Sequence, residues 1–155
     1  MLSAGIDLQP GQHLATQRVV GQHAPDRLLD HAVRMDPGNT SYWHNHGAAL
    51  FHLRRYKDAV KSFRKALSIS SGNVNSWIGL GMVASRMYDY ARAVSAFTQA
   101  VTRNPKKAAV WIMLGDAQFE RGLCREAITS YDRALELEPE NPVAWNQRGI
   151  VQRAL

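Results

Sequence analysis

The chain has one cysteine, Cys124, in 155 residues. That excludes a disulfide within the chain and any cysteine-rich zinc site. No apolar run approaches the ~18–20 residues needed to cross a bilayer. The opening MLSAGIDLQPGQ lacks the basic start and apolar core of a secretory signal. A cytoplasmic protein without a membrane span is the expectation. Glycine (11) and proline (6) are too few for a collagen-like or low-complexity chain. Acidic residues are also scarce, 13 against 19 Lys and Arg, for a net charge of +6. This balance favours acidic partners but does not set a fold.

Chemical motifs are sparse as well. GLG at 79–81 lies inside a helical pattern rather than after a strand, so it is not a phosphate-binding loop. His44 and His46 are two apart in sequence and point to different sides of a helix. His44 and His52 share a face but lack a third metal ligand. Cys124 has no histidine near it in sequence to act as a base. Asp116 and Glu120 share a helical face, for which solvation is the simpler explanation. The sequence predicts no catalytic residues, no metal and no cofactor.

What remains is ample for a core: 45% of residues are hydrophobic, and the length suits one domain. Charge is uneven. Residues 1–107 hold 14 basic and 6 acidic side chains, and residues 108–155 hold 5 and 7. That asymmetry either orients a partner, promotes head-to-tail self-contact, or is drift on a solvated surface.

The strongest signal is a repeat. Trp43, Trp77, Trp111 and Trp145 recur at one fixed interval of thirty-four positions. Glycine follows four positions after each, at Gly47, Gly81, Gly115 and Gly149. Behind the first three come Ala59, Ala93 and Ala127, then Phe63, Phe97 and Tyr131, then Ala66, Ala100 and Ala134. Ser71, Pro105 and Pro139 close the period. Small residues at helical spacing let two backbones approach closely. The aromatics supply area to bury, worth ~1.5–3 kcal/mol per side chain. Proline stops the second helix and sets the next turn. Each period reads as an antiparallel helix pair that stacks on its neighbours.

This pattern resembles the tetratricopeptide repeat family over residues 40–155. The family's small and large positions fall on Trp43, Gly47, Ala59, Phe63 and Ala66, and on their counterparts one and two periods on. His46 and Arg148 stand where the family usually has Leu. The resemblance implies an all-α solenoid of antiparallel helix pairs winding into a right-handed superhelix. The implied units are 40–73, 74–107 and 108–141, with 142–155 as a lone first helix that caps the array. Arg148 and Gln152 give that helix a polar outer side, although a chain truncated from a longer parent would look the same. Residues 1–39 read as a degenerate N-terminal repeat or cap. Within it, Leu28, Leu29, Ala32, Val33 and Met35 form the apolar face of a helix over 25–37. Residues 13–22 are expected to form a short irregular helix, with 1–12 loosely packed.

The resemblance also implies a function: first helices line a concave groove that holds partner segments. By register, that groove would present His44, Asn45 and Phe51, then Asn75, Ile78, Met82 and Arg86. It would continue with Ile112, Met113, Asp116 and Phe119, and end with Asn146 and Ile150. Ile78, Met82, Ile112, Met113 and Ile150 make its middle unusually apolar. This suits an apolar or amphipathic protein or peptide segment. Two alternatives stand beside it: a superhelix tight enough for these residues to touch each other, or a groove filled by the chain's own N-terminal segment. Family members that clamp a chaperone's C-terminal carboxylate use Lys, Asn and Arg at positions held here by His44, Ala48, Gly79, Ala109 and Met113. No such binding is expected.

On the opposite side, Arg54, Arg55, Lys57, Lys61, Arg64 and Lys65 form a basic patch. Without interleaved aromatics it reads as a solvated convex face more readily than as a nucleic-acid site. The leading expectation is a non-enzymatic adaptor. The alternatives are a targeting arm of a larger or separate enzyme, such as a transferase, and acidic-surface or nucleic-acid binding by the basic helix. Self-association through the terminal helices is a further open reading.

Overall fold

The computed structural model describes residues 27–155. The expectations for residues 1–26 lie outside that range. Helix α1 is described over 27–35. It is followed by α2 (Thr40–His52), α3 (Tyr56–Ile69), α4 (Val74–Arg86), α5 (Tyr90–Arg103), α6 (Ala108–Glu120), α7 (Cys124–Leu137) and α8 (Pro142–Ala154). No strand occurs among the described residues. First helices start at Thr40, Val74, Ala108 and Pro142, one full period apart each time.

Local chemistry explains the boundaries. Asn39, Asn73 and Asn141 accept hydrogen bonds from the first free amides of α2, α4 and α8. Pro142 sits in the first turn of α8, where its missing N–H costs nothing. Lys107 breaks this column, and α6 has no side-chain cap. Between the helices of each pair, one residue turns through left-handed backbone: Arg54 at φ 60°, Tyr88 at 59° and Gly122 at 82°. These three also keep the period, so the same turn is built with and without glycine.

Each pair closes around an aromatic from its second helix. A Cβ on Gly47 would lie 2.8 Å from Phe63, one on Gly81 2.5 Å from Phe97, and one on Gly115 2.6 Å from Tyr131. The rings therefore occupy the space that the missing side chains leave, and Ala59, Ala66, Ala93, Ala100, Ala127 and Ala134 are completely buried beside them. Each second helix then packs against the first helix of the next pair, giving a row of three buried clusters along the stack.

The tryptophans sit equivalently, with a role beyond burial. Each indole Nε1 donates to the carbonyl six positions upstream: Trp43 to Pro37, Trp77 to Ser71, Trp111 to Pro105 and Trp145 to Pro139, at 2.8–2.9 Å. They staple each first helix to its entering turn and are only partly buried. Trp145, on the last helix, is 54% exposed.

The apolar face expected for the first helix needs correction. Val33 is buried, but Leu28 and Met35 are each 72% exposed. Leu29, Ala32 and Val33 follow helical spacing along one side, whereas Leu28 and Met35 lie seven apart on another that faces water.

Candidate functional site

The first helices α2 and α4 approach each other along one side of the stack. There they form an open pocket of about 280 Å³. Five residues expected in the groove meet in it: His44 and Phe51 from α2, and Asn75, Ile78 and Met82 from α4. Its floor is Phe63, reaching through from α3. A Cβ on Gly79 would lie 2.5 Å from Phe63 Cζ, so glycine there is what lets the buried ring reach between the two helices, where it is 2% exposed. Phe63 reads from the sequence as core alone. The signal that it also underlies the groove is a second glycine, two positions ahead of the Gly81 column.

The pocket is apolar with polar edges. The His44 ring lies 5.6 Å from that of Phe63, and its Nδ1 is 3.3 Å from Ser76 Oγ. Burial holds the His44 imidazole below its ordinary pKa, favouring the neutral ring. The Arg86 guanidinium stands 6.0 Å over the Phe51 ring and is not among the residues lining the pocket. Asn75 accepts a hydrogen bond from Lys107 at 3.3 Å, tying adjacent pairs together.

The remaining expected residues are distributed differently. Asn45 and Asn146 are exposed, and Ile150 is half-buried. Met113 is half-buried against the core of α4, α5 and α6, and Phe119 against that of α6, α7 and α8. Ile112 does not belong to an open wall: it is 8% exposed and part of the core with Tyr131 and Ala144. The reason is packing from two sides: Tyr131 and Leu135 of α7 and Ala144 and Val151 of α8 share that core and keep Ile112 from water.

Asp116 anchors a polar cluster instead. Its Oδ1 accepts from the Tyr131 hydroxyl at 2.7 Å and from Gln147 Nε2 at 3.2 Å. Burial pushes the Asp116 carboxyl above its ordinary pKa, and the two donors offset this only in part. The same burial, together with the bond to Asp116, pushes the Tyr131 phenol up.

A Ser–His–Asp alignment, not anticipated from sequence, occurs at the N-terminal end. Asp30 Oδ1 lies 3.0 Å from His46 Nε2, and His46 Nδ1 lies 3.0 Å from Ser62 Oγ. Ser62 is 2% exposed, and its hydroxyl also reaches the Asp58 carbonyl at 3.3 Å. The row therefore ties α1, α2 and α3 together, with Ser62 buried between them. It explains the histidine at a position where an aliphatic residue is the family's habit: the polar ring is satisfied on both nitrogens.

On the outer face, Lys57, Lys61 and Arg64 line a second cavity between pairs, whereas Arg54, Arg55 and Lys65 do not. Among the described residues, no three His, Cys, Asp or Glu groups converge as a metal site, and no helix is long and apolar enough to cross a membrane.

Stacked helical hairpins with a first-helix wall and one fixed register define a helical-repeat solenoid. Tetratricopeptide repeat profiles match residues 78–142 and 113–155, and a second such profile matches 40–73. The chain belongs to the tetratricopeptide repeat family. Among solved structures, MamA superposes with a TM-score of 0.82 at 19% identity, covering 96% of this chain and 86% of MamA. MamA from Desulfovibrio magneticus RS-1, residues 41 to the end, gives 0.79 at 22% identity, over 92% and 82%. The first repeat domain of Spaghetti (RPAP3), bound to the HSP90 peptide SRMEEVD, gives 0.71 at 25% identity, over 74% and 91%. No curated protein matches by sequence.

Proposed function

We propose that this protein is a protein-interaction module that receives an apolar or amphipathic segment of a partner on the wall formed by α2 and α4. The observation that carries the reading is the pocket over Phe63. Its walls are Phe51, Ile78 and Met82, around a water-accessible volume of about 280 Å³. Releasing water from it to bury an apolar side chain is favourable at about 25 cal/mol per Å². Methionine at one wall adapts to side chains of different shape. The polar rim is Asn75, whose Oδ1 accepts from Lys107, and His44, whose imidazole burial keeps toward the neutral form.

The RPAP3 domain is bound to a peptide ending in Glu-Val-Asp, which supports peptide recognition in general. The ligand class proposed here differs. The places that clamp a terminal carboxylate in such family members are occupied by His44, Ala48, Gly79, Ala109 and Met113, none of them a fixed cation.

Peptides selected by display against the full chain test this reading. The expected ligands carry a large apolar residue, shift the resonances of Ile78 and Met82, and lose binding to Ile78→Asp and to Met82→Asp while both variants keep their helical spectrum. Ligands that bind both variants as tightly as the wild type would refute the assignment of this wall.

A further inference from the structure

We infer that the convex side carries a second, independent docking trough, between α3 and α5, for an acidic amphipathic helix of a partner protein. The trough encloses about 730 Å³. It runs beside α3 from Lys57 to Leu67, about 15 Å of helix. Its floor is apolar: Trp77 and Leu80 of α4, with Met87 from the following turn. Its rim is cationic, with Lys57, Lys61 and Arg64 along α3 and Arg92 across from them on α5. The one acid in the lining, Asp89, is already held by Arg92 at 3.3 Å.

The cations are not needed by the fold. One period on, α5 carries Ala91, Ser95 and Thr98 in place of Lys57, Lys61 and Arg64, and it forms a helix of the same length. Lys57 and Lys61 are spaced i,i+4, and Lys61 and Lys65 likewise, so α3 bears like-charge repulsion. Only Lys61 finds a carboxylate, Asp58 at 3.3 Å. Lys57 and Arg64 have none among the described residues. Carboxylates from a partner would relieve this repulsion while its apolar side chains cover Leu80 and Met87.

The geometry also selects the ligand class. Trp77 is the one aromatic among the residues lining the trough, and Arg103 already stacks on its ring at 5.1 Å, so no series of rings offers successive bases a platform. The trough opens to solvent on its outer side, where an alkyl chain would stay wet but the polar face of an amphipathic helix belongs.

A labelled synthetic helix of about three turns, with leucines on one face and glutamates flanking them, is the probe for the full chain. Anisotropy gives affinity and amide resonances give the site. The expectation is binding that perturbs α3 and α5, weakens about tenfold or more in Lys61→Glu/Arg64→Glu, and is unchanged in Ile78→Asp. A scrambled peptide of the same composition should bind about tenfold more weakly or worse. Three results would overturn the proposal: no binding, binding indifferent to the charge reversal, or perturbations confined to α2 and α4. So would displacement of the probe by oleate or by an oligoribonucleotide that itself binds more tightly and with the same dependence on Lys61 and Arg64. Because the trough shares no residue with the pocket over Phe63, failure here leaves the concave reading standing, and the converse also holds.

Discussion

Glycine at the fourth position after tryptophan occurs four times, and the structure assigns opposite stability effects to adding a methyl group at two of them. At Gly81 a Cβ would lie 2.5 Å from Phe97 Cε1, 2.6 Å from Cδ1 and 2.8 Å from Cζ. All are below the separation that real Cβ atoms reach. Phe97 is 2% exposed and packed among other buried residues, so it can yield only by displacing them. Overpacking of this kind costs ~1–3 kcal/mol. The helix-propensity gain of glycine to alanine returns up to ~1 kcal/mol. The net expectation for Gly81→Ala is a loss of ~1–2 kcal/mol. At Gly149 nothing lies within 4 Å of the added atom, so only the propensity term acts, and Gly149→Ala should gain ~0.5–1 kcal/mol. Urea unfolding followed by far-UV circular dichroism measures both against the wild type. The comparison uses midpoints at matched slope, because stacked repeats do not always unfold as one unit. A raised midpoint for Gly81→Ala, or a lowered one for Gly149→Ala, would show that ring-over-glycine packing does not govern this column.

Three further outcomes follow from particular contacts. Tyr88 holds left-handed backbone at φ 59° with an exposed side chain, so Tyr88→Gly should raise the thermal midpoint by about 0.5 kcal/mol equivalent, whereas Gly122→Ala should lose about 1 kcal/mol; equal effects at the two sites would contradict a shared turn geometry. Burial raises the Asp116 pKa above its ordinary 3.8, so in the window above 3.8 the native state holds a proton that the unfolded chain has released. The stability this contributes is present at low pH and lost as pH rises through the raised value. The stability of Asp116→Asn relative to wild type should therefore shift in the variant's favour between pH 3 and pH 7, with the opposite titration of His44 cancelling because both proteins share it; a shift the other way would place Asp116 in a wetter site. Ser62→Ala strips His46 Nδ1 of its buried partner and should cost ~1–3 kcal/mol, and a double-mutant cycle with His46→Leu should show coupling above ~0.5 kcal/mol; additive effects would mean the row through Asp30, His46 and Ser62 is not a unit.

The sequence by itself determined the architecture, because a fixed register of Trp, Gly, Ala and aromatic positions has one economical reading: hairpins whose small residues seat the rings of their partners. The helix starts at 40, 74, 108 and 142 followed from the same register, and the structure adds their local cause at three of them, the caps Asn39, Asn73 and Asn141. Register alone could not say which first-helix side chains stay open. Ile112 and Ile78 occupy the same position of successive repeats, yet the first is buried in the core of α6, α7 and α8 while the second lines a pocket. That outcome depends on which helix arrives next and what side chains it brings. Nor could spacing reveal that Gly79 opens a window on Phe63, or that Asp30, His46 and Ser62 join across three helices. Periodicity encodes contacts that every unit makes; the sites arise where one unit departs from the others, and the consequence of a departure is fixed only by the neighbours that surround it in space.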